Sequence, residues 1–262
     1  MTNRMEGKVA VVTGAGSGIG RAACVRLAEE GAEVVVTSRS ADHVEETCAE
    51  VERATARRPP GLTLDVSDSA AIDAVFAEIA GEHGRVDVLV ANAGIELPPD
   101  ESGTGPNLAD TSDEQWERIQ RVNVDGMFYS CRAALRHMPD GGSIVTVGSI
   151  NSFIAWENDG PYTTSKGAVL QLTRALAVDV AARNIRANCI CPGVIDTPLN
   201  DQFLAAVDDP EKLRAEFAAV APLGRFGQAR EIAHCILFLA SDEASFVTGA
   251  ALVADGGAII RP

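Results

Sequence analysis

Short runs of β-branched residues alternate with amphipathic segments along almost the entire chain, and that alternation is the strongest constraint on its fold. Strands are expected at 8–13 (KVAVVT), 32–37, 61–66, 85–94, 142–149, 185–193 and 250–257. Helices are expected at 18–30, 40–56, 69–83, 111–138, 161–182 and 228–240. Gly31 marks the end of the first helix, while Ser67 or Ser69, Thr111 and Asp113, and Pro161 offer start signals for later ones. Near-continuous apolar strands imply burial on both faces, and strand-helix alternation requires crossover connections. The expected fold class is therefore α/β, a doubly wound parallel sheet of seven strands. With 262 residues, one domain spanning 1–262 has enough chain for a large core.

Open parallel sheets bind ligands beyond the C-terminal ends of their strands. Two long segments lie at such ends, 95–115 and 195–228, and are expected to be loops that contact substrate. The net charge of −15 argues against a nucleic-acid or anionic-membrane surface. No apolar stretch approaches the roughly 20 residues of a membrane span, and MTNRMEGKV lacks a signal-peptide core, so a cytoplasmic protein is expected. The six cysteines are scattered and read as buried small residues; on a strand, Cys189 and Cys191 are expected to point to opposite faces. The four histidines show no ligand spacing, and no metal site is expected.

Between the first strand and first helix, TGAGSGIG places glycines at 14, 16, 18 and 20. Such a join can hold a pyrophosphate on the helix N-terminus if no side chain blocks it, or it can be a flexible turn. The widely used G-x-G-x-x-G frame fails, since its last glycine falls on Ile19 or Arg21; the spacing is T-G-x-x-x-G-x-G from Thr13. At the end of the second strand, where an acid would bind ribose hydroxyls, the chain reads Thr37-Ser38-Arg39. A guanidinium there suits a 2′-phosphate, which favours NADP(H) while leaving NAD(H) open. Asp65, followed by Val66, can accept from an adenine amino group or cap the next helix. Asn92-Ala93-Gly94 lets backbone approach a cofactor.

Tyr162 and Lys166 are four residues apart, hence on one helical face, and an ammonium beside a phenol favours the phenolate. Ser149 ends the preceding strand and can reach the same substrate oxygen. Taken with Thr13-Gly14 to Gly20, Asn92-Ala93-Gly94, Asn123, Pro192-Gly193 and Thr197, these residues resemble the short-chain dehydrogenase/reductase family over essentially the whole chain.

The resemblance implies a Rossmann-type sheet, a nicotinamide cofactor, a catalytic set of Asn123, Ser149, Tyr162 and Lys166, and a homotetramer. It implies Tyr162 as general acid/base, Ser149 as the group that polarises the substrate oxygen, and Lys166 as the holder of the nicotinamide ribose that lowers the tyrosine pKa. Asn123 is implied to support a proton-carrying water. Gly14, Ser17, Gly18, Ile19, Gly20, Ser38, Arg39, Asp65, Val66, Asn92, Gly94, Pro192, Gly193, Ile195 and Thr197 are implied cofactor contacts. The C-terminal third is similar to glucose 1-dehydrogenases. Glu96, Ser149, Asn151 and Trp156, with the nearby Glu157 and Asn158, are candidates for a pocket holding a small alcohol, ketone or sugar. A different class stays open at this point: a catalytically idle dinucleotide-binding redox sensor or interaction module.

Overall fold

The computed structural model describes residues 3–99 and 104–260; positions 100–103 of the 95–115 segment lie outside them. Seven parallel strands form one sheet: β1 (Val9–Thr13), β2 (Glu33–Ser38), β3 (Gly61–Thr63), β4 (Val88–Ala91), β5 (Ser143–Val147), β6 (Arg186–Pro192) and β9 (Ala251–Ala254). Their spatial order is β3-β2-β1-β4-β5-β6-β9. Successive strands first step outward from β1 to β3 and then restart at β4 on the other side of β1. The crevice at that reversal is where open α/β sheets bind ligands.

Every residue of β1, β4, β5 and β6 is buried, because helices cover both faces. Alternation along the strands separates two cores. Ala10, Val12, Val34, Val36 and Ile190 face the layer of α1 (Gly18–Glu29), α2 (Ala41–Thr55) and α9 (Ala229–Ala240). Val11, Val35, Leu89 and Ile144 face α3 (Ser69–His83), α5 (Gly126–His137) and α6 (Gly160–Val180). Cys189 and Cys191 both belong to this second core, with their sulfurs 3.6 Å apart. The expectation of opposite faces is therefore wrong: side chains two apart on a strand share a face, and it is Ile190 between them that points the other way.

Most element boundaries lie within a few residues of those expected, but the caps differ. Asp68, not Ser67 or Ser69, caps α3 by accepting from the Ala70 and Ala71 amides, and Ser112 forms a capping box with Gln115 at α4 (Asp113–Gln120). The expected helix at 111–138 is three pieces: α4, a π-helical turn over Arg121–Asp125, and α5. The 195–228 segment is also more than a loop. It contains α7 (Pro198–Leu204) and α8 (Pro210–Val220), and its ends meet as β7 (Ile195–Asp196) paired with β8 (Gly227–Gln228). Among the described residues, no helix is long and apolar enough to cross a membrane.

Candidate active site

A cavity of about 730 Å³ opens at the C-terminal ends of β1 and β4 and runs toward α7 and α8. At one end lies the glycine turn. Gly14 has φ +63°, and a Cβ there would sit 2.6 Å from the Ala93 backbone. A Cβ on Gly20 would meet the Gly14 carbonyl at 2.5 Å and the Asn92 amide at 2.6 Å. Ser17 precedes α1 without capping it through its side chain, so the helix start borders the cavity through Gly18 and Ile19, while Gly20, an expected cofactor contact, is buried behind the turn and does not line the cavity. The turn is also held from behind. Asn92 Nδ2 donates to the carbonyls of Thr13 and Gly14, both at 3.0 Å. Thr47 Oγ1 donates to the Ala15 carbonyl at 2.9 Å, and Arg21 bridges Thr47 and the Gly16 carbonyl. This is a fixed cradle with an uncapped helix terminus, which fits a pyrophosphate.

Ser38 and Arg39 wall the same end; a Cβ on Gly16 would lie 2.6 Å from Ser38 Oγ and 2.8 Å from His43 Cβ. Asp65 spends one carboxylate oxygen on the Ser67 amide at 2.9 Å and hydroxyl at 2.7 Å. Burial pushes its pKa up, but those two hydrogen bonds and the Arg39 charge carry it below its ordinary value. It thus closes a turn, while Asp68 is the helix cap. Val66 packs against Gly126 and borders the cavity. On the far wall are Pro192, Gly193, Ile195 and Thr197. A Cβ on Gly193 would collide with Asp255, and Thr197 starts α7 within reach of Gly18.

Midway along the cavity, α6 places Tyr162 and Lys166 one turn apart, as the spacing requires. Lys166 Nζ lies 5.4 Å from the Tyr162 ring centroid and donates to the Val147 carbonyl at 2.9 Å. Ser149, just past β5, lies beside the Tyr162 phenol, and its Oγ accepts from the Asn151 amide at 3.1 Å. The strand can end so closely because residue 148 is glycine: a Cβ there would sit 2.8 Å from the Cys189 sulfur. Asn123 lies in the π turn. Its Oδ1 accepts from the Ile95 amide at 2.8 Å, and its Nδ2 donates to the Ile95 carbonyl at 2.9 Å and to Ser165 Oγ at 3.0 Å. Its amide is a brace between the β4 exit, Gly94 to Glu96, and α6.

The remaining expected residues converge beyond Tyr162. Trp156 Nε1 donates to Asn151 Oδ1 at 3.1 Å, and Asn151 Nδ2 donates to the carboxylate of Asp159, which also accepts from Thr163 at 3.2 Å. Glu96, Glu157 and Asn158 line this end. Sequence reasoning missed Asp159 and the apolar wall of Leu199, Phe203, Phe217 and Val220. The signal for that wall was present in Thr197-Pro198 and Asp209-Pro210, two cap-plus-proline starts that open α7 and α8.

Residues 14–258 match the protein family described as enoyl-(acyl carrier protein) reductase. The chain is 42% identical over 251 residues to the 2-(R)-hydroxypropyl-CoM dehydrogenase of Xanthobacter autotrophicus, covering 95% of this chain and 97% of that protein. It is 37% identical to the 3-oxoacyl-(acyl-carrier-protein) reductase of Thermotoga maritima, covering 98% of this chain and 100% of that one. Among solved structures, a short-chain type dehydrogenase/reductase from Mycobacterium marinum superposes with a TM-score of 0.90 at 34% identity, covering 99% of this chain and 98% of that chain.

The electrostatics of the centre depart from the sequence reading. Lys166 is expected to draw the Tyr162 phenol down, yet the phenol is pushed well above its ordinary value. Burial is the largest cause, the carboxylates of Glu96 and Asp159 add to it, and only the nearby Ser149 hydroxyl opposes them. Burial also pushes Lys166 down. Glu96 rises from 4.5 to about 8, through burial first and the neighbouring Asp159 second, with Lys166 opposing. Between those two values the folded chain keeps a proton that the unfolded chain has released. Stability conferred by the neutral acid is therefore lost as pH climbs through that window and levels off above about 8. Glu96→Gln carries no such proton. It is expected to melt roughly 5 °C higher than wild type at pH 9 and within about 1 °C of it at pH 5. Thermal unfolding followed by circular dichroism at the two pH values checks this, and an equal change at both would contradict the assignment.

Proposed function

The chain belongs to the short-chain dehydrogenase/reductase family, and from that premise we propose that it transfers hydride between NADP(H) and a secondary alcohol, ketone or sugar through Ser149, Tyr162 and Lys166. Membership itself makes it an oxidoreductase of alcohols and ketones that uses a nicotinamide cofactor. The observation that carries the catalytic reading is the convergence of Ser149, Tyr162 and Lys166 on one point of the cavity, within a scaffold braced by Asn123.

The glycine cradle, with Ile19 and Thr197, would hold the pyrophosphate, and Lys166 would hold the nicotinamide ribose. When bound, the nicotinamide supplies or accepts a hydride at its C4 atom. The chain's own groups manage the accompanying proton. In reduction, the Tyr162 hydroxyl gives its proton to the carbonyl oxygen as hydride reaches the carbonyl carbon; in oxidation, the phenolate takes the hydroxyl proton as hydride leaves. Ser149 donates to the same oxygen and fixes its position. Because burial and two carboxylates hold the phenol in its protonated form, the unassisted residue is set up as an acid, which suits carbonyl reduction near neutral pH.

The reading favours NADP(H) because Arg39 lines the cavity at the glycine-turn end and makes no ion pair among the described residues, and a free guanidinium there suits a 2′-phosphate. A homotetramer accords with apolar side chains left open on several helices and near the last strand, including Val178 on α6 at 77% exposure and Phe246 before β9 at 103%.

Tyr162→Phe is expected to lower kcat by roughly 10²-fold or more while leaving cofactor affinity within about twofold. Steady-state assays over an alcohol, ketone and sugar panel, paired with cofactor fluorescence titration, test it. A variant retaining a tenth of wild-type kcat would remove the phenol from the mechanism, and cofactor binding without turnover of any substrate would favour an idle redox sensor. Arg39→Asp is expected to shift kcat/KM from NADP(H) toward NAD(H) by about tenfold or more; a native preference for NAD(H) sinks the phosphate assignment. Light scattering coupled to size exclusion is expected to give four times the 27.4 kDa chain mass, and a monomer mass would contradict the assembly.

A further inference from the structure

The polar groups at the substrate end of the cavity are almost all spoken for. Asp159 takes donors from Asn151 and Thr163, Asn151 also serves Trp156, and Lys166 is tied to the Val147 carbonyl. Among the described residues the exceptions are Glu96, the Gln202 amide, whose buried Nε2 has no hydrogen-bond partner, and the exposed Glu157. The Glu96 side chain is mostly buried, borders the cavity, and receives no hydrogen bond from any described residue. Its position follows from the brace described above, because Asn123 grips both backbone polar atoms of the residue before it.

Around Glu96, the more buried of these two carboxyls, most of the wall is apolar: Leu97, Trp156, Leu199, Phe203, Phe217 and Val220. A polyol would face that wall with hydroxyls that find no partners, which weakens binding for each one left unpaired. An apolar body fits. The carboxyls at this end are Glu96, Asp159 and Glu157; of the basic groups along the cavity, Lys166 is tied to the Val147 carbonyl and Arg39 stands at the opposite end beside the glycine turn. An anionic substituent would be brought next to carboxylates with no cation free to receive it.

Resting on the oxidoreductase reading above, we propose that Glu96 selects the substrate by charge. The cavity accepts an alcohol or ketone with an apolar body and an ammonium group close to the reacting carbon, and turns away carboxylates, sulfonates and phosphates. An ammonium gives Glu96 both the donor and the charge that its surroundings withhold. The groups facing Glu96 are Asp159 at the start of α6 and Tyr162 and Lys166 within it; burial and Asp159 keep its carboxyl protonated up to about pH 8. A bound ammonium reverses that balance, so binding releases a proton below pH 8 and tightens as pH rises toward it. The ionised Glu96 held by the ligand then no longer acts on Tyr162 as an unneutralised charge.

The test is calorimetric titration of the full-length protein, with cofactor present, against cyclohexylammonium, cyclohexanol and cyclohexanecarboxylate at pH 7.5, in wild type and Glu96→Gln. The expected result is that the ammonium binds at least tenfold more tightly than the carboxylate, about 1.4 kcal/mol, and releases a proton, measured by repeating the titration in buffers of different ionisation enthalpy. In Glu96→Gln the preference should fall to within threefold and the proton release should vanish, with cyclohexanol affinity retained. Equal affinities, tighter binding of the carboxylate, no detectable binding of the ammonium, or a preference unchanged in Glu96→Gln would each overturn the proposal. Turnover of the substrate panel separates the two levels. If neutral alcohols or ketones react while the charge preference is missing, selection by Glu96 is wrong and the oxidoreductase reading stands. If the preference is present without turnover of any substrate, the oxidoreductase mechanism is what fails.

Discussion

Asn123 is the residue on which the rest of the centre depends. Its amide joins the strand that leaves the sheet at the topological reversal to the helix carrying Tyr162 and Lys166. A planar amide with its oxygen and nitrogen both engaged fixes distance and orientation at once, and it does so in a buried setting where each of those hydrogen bonds is costly to lose. The π turn at Arg121–Asp125 makes the contact possible. One additional residue in the turn rotates the helix face, and Asn123 is buried there against Ile95 and Ser165. From that single brace follow the placement of Ile95, the exposure of Glu96 to the cavity, and the relation of Gly94 to Lys166, whose ammonium lies 3.4 Å from where a Cβ at 94 would be.

The sheet was legible in the sequence because its determinants are local and periodic. Runs such as VAVVT and SIVTV admit few alternatives, and the helices between them carry their own end signals. The Tyr162, Lys166 and Ser149 grouping was legible for a related reason: a helix fixes the i to i+4 relation, and a parallel sheet brings its strand ends to one edge. The π turn was not legible, since the sequence through 111–138 keeps a continuous helical pattern and the break arises from tertiary contacts with Ile95 and Ser165. The 195–228 segment was misread because its helices are short, and α8 has no fully buried face. Proline caps marked both, and they were outweighed by the density of turn-forming and charged residues around them.

Charge in the centre was the part least accessible to sequence. Reading Tyr162 beside Lys166 in isolation gives a lowered phenol, because one opposite charge is the only neighbour considered. The folded chain adds burial and two carboxylates, Glu96 from the β4 exit and Asp159 from the start of α6, and their sum has the opposite sign. Asp159 is three residues before Tyr162, but its influence on Glu96 is a property of the fold alone.

The pairing of β7 with β8 brings the two ends of the 195–228 excursion together, with the Gly227 amide bound to the Val194 carbonyl at 2.9 Å. Helices α7 and α8 therefore hang from a closed clasp outside the seven-stranded sheet. A segment attached in this way is a cassette: its length and its inward side chains can change while the two anchor points stay fixed, so the loop-closure cost grows only slowly with insertion. The wall presented by Leu199, Phe203 and Phe217 is in this sense separable from the Ser149, Tyr162 and Lys166 grouping, and a chain of this architecture can reshape that end of its cavity by exchanging the cassette while β1, β4 and α6 keep their positions.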